Sequence, residues 1–253
     1  MPAQRLADDP GAVAIRVPKY AVVGTYSQPR KSSFVQHVAI LADDADLRWG
    51  ASATVSHMGP PLVAGEETKK ARHAKPECVV HLAGTAQLSL DEQDAIRDWL
   101  EEVDKEPGPD NPFRRYIVNP HWEWHRARET GRRLYRRFSC AGFVLECFKS
   151  IELDLVDTQE GSLPDVDFDV VAEAYPVARA RRHLERLTRG PTPDDPGLKL
   201  EDWGIAGDGP WPVLLPGYIF HALERIGEDN PRPPARAPSS VADACFPCAG
   251  AAD

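Results

Sequence analysis

The chain has 253 residues, 42% apolar and 27% charged, enough to bury a sizeable core in one main domain with appendages. A net charge of -9 argues against a general binder of nucleic acid or anionic membrane, which needs a basic surplus to displace counterions. No apolar leader follows the N-terminus and no window reaches the roughly 18 apolar residues of a membrane span, so the expectation is a cytoplasmic protein.

The first nine or ten residues look loose. "AVAIRV" and "KYAVVGTY", joined through Pro18, read as β segments; "SFVQHVAILADD" reads as a third with an aliphatic centre, and "ASATVSH" as a fourth. "GPPLVAGEETKKARHAKP" is a polar excursion marked by Gly and Pro, and "ECVVHLAG" after it returns to a strand pattern. The front of the chain is therefore expected to be a small sheet.

In "SLDEQDAIRDWLEEVDKE", Ser89 and Glu92 have the spacing of a capping box, and Ala95, Ile96, Trp99, Leu100 and Val103 recur at helical period. "PGPDNPFRR" ends that helix. The basic, aromatic "HWEWHRARETGRRLYRR" reads as a helix leading into a second one, "RRFSCAGFVLECFKSI", whose inner face would be Phe143, Val144, Cys147, Phe148 and Ile151. Further on come "VVAEAYPVARARRHLERLTR", a helix interrupted by Pro176, and a Pro/Gly/Trp-rich stretch in which Trp203, Trp211 and Tyr218 are packing anchors. From Glu228 the Pro-rich composition predicts disorder. The division expected is 1–157 as the main domain, 158–227 as an extension packed on it, and 228–253 as a tail.

Five cysteines (78, 140, 147, 245 and 248) form no dense, even framework, so reduced thiols are expected. Cys245 and Cys248 have the spacing of a zinc or redox pair but no second pair beside them, and His121 and His125 lack an obvious third ligand; no metal or cofactor is expected. Cys140 differs, because it opens a helix. Unpaired N–H groups and the helix dipole favour a thiolate there, and Arg132, Arg133, Arg136 and Arg137 just upstream would push the same way or hold an anionic part of a substrate. A cysteine nucleophile needs a base, and His37, set among aliphatic residues in a strand, is the leading candidate.

The order of "HVAI", "VVHL", the "LSLDEQ" helix and "FSCAGFVLECF" over residues 34–151 resembles the circularly permuted papain-like hydrolases: the YiiX/YaeF-like bacterial proteins and the lecithin retinol acyltransferase relatives, cousins of the NlpC-type peptidases. That resemblance implies an α+β fold, an antiparallel sheet or half-barrel packed against helices, here with a C-terminal extension. It implies Cys140 as nucleophile and His37 as base and acid, with His81 orienting His37 and His57 as its competitor for that role. The implied activity is thiol-dependent amide or ester hydrolysis through an acyl-enzyme, with acyl transfer on the same scaffold or a catalytically inactive binding module as alternatives. The implied substrates are peptides, cell-wall fragments or lipid-like acyl compounds.

Overall fold

Strand alternation and one capped helix after another determine the layout. The computed structural model describes residues 4–5, 20–27, 34–42, 54–59, 62–67, 78–85, 88–175, 198–226, 230 and 232–245. Six strands form one antiparallel sheet: β1 (Gln4–Arg5), β2 (Tyr20–Ser27), β3 (His37–Ala42), β4 (Thr54–Met58), β5 (Leu62–Glu67) and β6 (Cys78–Thr85), in the spatial order β1-β6-β2-β3-β4-β5. The run from β2 to β5 is a meander, and β6 returns to the far side of β2. The polar excursion after Gly59 thus contains strand β5. Its Leu62, Val63 and Ala64 are partly buried and pair back onto β4. The "AVAIRV" segment lies outside the described residues.

Helix α1 (Leu90–Lys105) starts at the expected capping box, in which the Ser89 hydroxyl accepts from the Glu92 amide and Glu92 accepts from the Ser89 amide. The segment expected to be a helix at 121–137 is instead a hairpin, β7 (Trp122–Arg126) paired with β8 (Arg133–Phe138). Two tryptophans two residues apart fit the period of a strand, and Gly131 supplies the positive φ of 65° that the turn requires. His121 and His125 therefore do not share a helix face, and no cluster of metal-ligating side chains occurs among the described residues.

Helix α2 (Cys140–Lys149) follows β8 after a single residue. Beyond it lie β9 (Asp165–Val166), α3 (Phe168–Ala174), β10 (Trp211–Pro212), which pairs with β9, and α4 (Pro216–Glu224). Of the Pro176-interrupted helix, the described part is α3, capped by the Asp167 side chain; residues 176–197 lie outside. Helix α4 packs across β6, β2 and β3, α2 lies beside it across β3 and β4, and α1 packs against α2 and β5. One core joins Val22, Val38, Ile40 and Met58 of the sheet to Phe143, Val144 and Phe148 of α2 and to Ile219, Phe220 and Leu223 of α4. The molecule is thus a mixed α+β structure with small antiparallel sheets.

The Pro-rich residues 232–245 are docked, a correction to the expected disorder. Arg225 donates to the carbonyls of Pro234 and Leu155, Arg232 donates to the carbonyl of Ile151 and pairs with Glu92, and the Asp157 amide donates to the Arg236 carbonyl at 3.2 Å. Prolines cannot donate, but their carbonyls accept: Arg225 at the end of α4 donates to Pro234, while Arg232 of the segment reaches back to the Ile151 carbonyl. No described helix is long and apolar enough to cross a membrane.

Candidate functional site

Ser139 seats the candidate cysteine. As N-cap of α2 its hydroxyl accepts from the Gly142 amide at 2.9 Å, while its own amide donates to the His121 carbonyl at 2.9 Å, so the start of the helix is tied to the start of β7. Gly142 is required by that closeness: a β-carbon there would lie 2.0 Å from the His121 carbonyl oxygen. Cys140 is the first residue of the helix, as its pattern predicts, and is 0% exposed.

Around the thiol are the Val38 backbone, the Tyr116 hydroxyl and the first amides of α2, all of which favour a thiolate. Burial opposes them and prevails, pushing the Cys140 thiol up to about 11. The amides at the helix start act in the direction expected from the sequence, but desolvation is larger. The Tyr116 hydroxyl approaches the thiol without good hydrogen-bond geometry, and burial holds its pKa well above the usual phenol value. Tyr175 closes the other side, donating to the Leu214 carbonyl and lying 3.5 Å from the Ser139 hydroxyl. Cys147, two turns on, is sealed in the core, where burial alone raises its pKa.

Three of the four arginines expected to favour the thiolate are engaged elsewhere. Arg136 pairs with Glu106 and Glu102, and its guanidinium lies between the rings of Trp99 and Trp124, at 5.5 and 5.4 Å from their centroids. Arg137 binds Glu123 and donates to the carbonyls of Tyr116 and Asp202. Arg133 stands over Trp124 at 5.3 Å.

His37 is the first residue of β3, directly before the Val38 that meets the thiol. Successive side chains of a strand point to opposite faces. Val38 and Ile40 join the core that holds Cys140, whereas Ala39 packs with Val55 in a separate cluster, so the pleat turns His37 to the face opposite Cys140. There its ring meets His57 of β4 edge-on, with centroids 5.0 Å apart and planes at 87°. Both histidines are buried, at 8% and 9% exposure. His81 lies on the other side of β3, two strands away: it is opposite Gly24 of β2, which is opposite Val38. The structure therefore brings His57, and not the favoured His81, to His37, and it sets the Cys140 thiol of α2 against the Val38 backbone while the His37 ring lies on the opposite face of β3.

A second histidine centre went unnoticed in the sequence. His221 of α4 lies 2.7 Å from Glu224 through Nδ1 and 2.7 Å from the Cys245 carbonyl through Nε2. Burial disfavours its charge, but Glu224 and the Cys245 carbonyl outweigh burial and raise its pKa, and the imidazolium donates to both. Glu224, three residues on in the same helix, was the available signal. The other end of this bond, Cys245, is far away in sequence. Comparison with protein-family models, curated proteins and solved structures gives no match.

Proposed function

We propose that the chain is a thiol-dependent amide or ester hydrolase on a permuted papain-like scaffold, with Cys140 as nucleophile, His37 as general base and acid, and His57 orienting His37. The observation that carries this reading is the seat of Cys140: a thiol on the first residue of a helix, against the amide that follows a histidine whose ring abuts a second histidine. The described arrangement is a resting one in this reading, with the thiol covered and protonated. Activity requires that the cover over Cys140 open and that the His37 ring turn over the start of β3, where a strand end gives way at low cost.

The His37 imidazole then takes the thiol proton, the sulfur bonds to the acyl carbon, and the amides of Cys140 and Ala141 meet the developing oxyanion. Collapse breaks the bond to the leaving amine or alcohol, which receives the proton from His37. Water, activated by the same imidazole, cleaves the thioester; an amine in its place makes the reaction an acyl transfer. Peptides, cell-wall fragments and lipid-like acyl compounds are the substrate classes to test.

A chromogenic acyl ester mixed with the native protein tests the reading. The expected result is a stoichiometric burst of leaving group and an acyl adduct on Cys140, both lost in Cys140→Ser. The full burial of Cys140 favours a second reading, a catalytically inactive binding module. No burst, with Cys140 acylated or alkylated only after unfolding, selects that module and rejects the hydrolase.

A further inference from the structure

Between α4 and the docked residues 232–245 lies a cavity of ≈ 620 Å³, within the size range of roughly 300–1,000 Å³ usual for small-molecule pockets. Its charged and hydroxyl-bearing lining is Tyr218, His221, Arg225, Arg236, Ser239 and Asp243. Cations predominate. Among the described residues the Arg225 guanidinium donates to the Pro234 and Leu155 carbonyls and meets no carboxylate, and Arg236 lies close enough to repel it. The Arg236 side chain itself has no acidic partner among the described residues.

The one carboxylate in the lining is already occupied. Asp243 accepts from the Ser239 amide at 2.7 Å, the Ser239 hydroxyl at 2.8 Å and the Ser240 amide at 3.1 Å. Tyr218 is an independent indication: the residue is 4% exposed, and its hydroxyl is buried without a hydrogen-bond partner among the described residues. An orphaned buried hydroxyl is unusual unless something fills the space beside it. Val156, Ala222 and Pro238 supply an apolar wall.

The geometry points to a binding site here for a small anion, a phosphate or carboxylate on a compact apolar body, held by Arg225 and Arg236 with the Tyr218 hydroxyl donating to it. This site is independent of the chemistry assigned to Cys140. Two guanidiniums with no acidic partner among the described residues suit an oxyanion: Arg236 can offer a fork of parallel N–H donors, and Arg225 the N–H groups it does not give to the Pro234 and Leu155 carbonyls.

Titration calorimetry on the full chain tests the assignment with phenyl phosphate, benzoate and phenol as probes. Saturable binding of phenyl phosphate or benzoate, and none of phenol, is the expected result. Arg236→Gln, at an exposed position whose side chain has no hydrogen-bond partner among the described residues, should weaken it by about tenfold or more. Tyr218→Phe should weaken it by about three- to tenfold, with the melting temperature of each variant confirming the fold. Competition by vesicles of phosphatidylcholine with phosphatidic acid, compared with phosphatidylcholine alone, separates a lipid headgroup from a free phosphate compound as the source of the anion. No saturable binding of either anion, or binding unchanged in both variants, overturns the site.

Discussion

His57 of β4 presents its ring edge-on to His37 of β3, 5.0 Å between centroids, while His81 stands two strands away on the other side. Under the proposed chemistry this contact ranks three substitutions. His37→Ala should lower kcat/KM by about 10²–10⁴-fold, the range of a lost general base. His57→Ala should cost about 10–100-fold, as loss of an orienting partner does. His81→Ala should leave kcat/KM within about threefold of the native value. Steady-state assays with a chromogenic ester measure all three, and a larger loss at His81 than at His57 reverses the assignment.

Two other histidines give stability opposite pH dependences. Burial lowers the His121 pKa to about 4, with Lys149 pushing the same way, so folding favours the neutral ring. Its contribution is whole above the unfolded value near 6.5 and is lost as pH falls toward about 4, on the order of 3 kcal/mol in total. The His221 pKa is raised, so its contribution is whole below the unfolded value and is lost as pH rises through the folded one. Urea midpoints measured from pH 4 to 9 should therefore lose part of their acid-side fall in His121→Asn and part of their alkaline-side fall in His221→Gln.

Glu106 holds two guanidiniums at once. It pairs with Arg115 at 2.9 Å and Arg136 at 2.5 Å, and its side chain and theirs are at most 10% exposed. Removing the shared carboxylate leaves two buried cations facing each other, a change that typically costs about 3–5 kcal/mol. Glu106→Ala should lower the unfolding free energy from urea titration by that amount, whereas Glu102→Ala, at a carboxylate 67% exposed, should lower it by about 1 kcal/mol or less.

Gly217 governs the docking of the chain's last described segment. A β-carbon there would fall 2.0 Å from the Ala244 carbonyl oxygen, and both backbones are fixed by α4 and by the bond from the Val35 amide to that same oxygen. Gly217→Ala should cost about 1–3 kcal/mol, the range of overpacking, and release residues 232–245. Limited proteolysis with mass spectrometry should find new cuts in that segment and not in α1.

Much of this architecture was legible in local patterns. Ser89 and Glu92 announced α1, the apolar spacing from Phe143 to Ile151 gave α2, and the aliphatic runs around His37 and Val80 gave central strands. The hairpin at 122–138 was misread because a basic, aromatic segment carries both periods, and only the two-residue step from Trp122 to Trp124 separated them. Site chemistry was harder to read. The state of Cys140 depends on the balance between helix amides and burial, and burial comes from Tyr116 and Tyr175, remote from it in sequence. The arginines before it found acids up to 34 positions away, and a string of residues does not display such pairings. Choosing between His57 and His81 required strand order, which loop lengths alone do not dictate.

Ser139 alone separates the end of β8 from the start of α2, and its amide, hydroxyl and carbonyl are all engaged. With no slack at that joint, a tilt of the β7–β8 hairpin at Thr130 or Gly131 is expected to carry through to the cysteine-bearing turn. A fluorophore attached at the hairpin tip would therefore report movement at the thiol from a position well outside it.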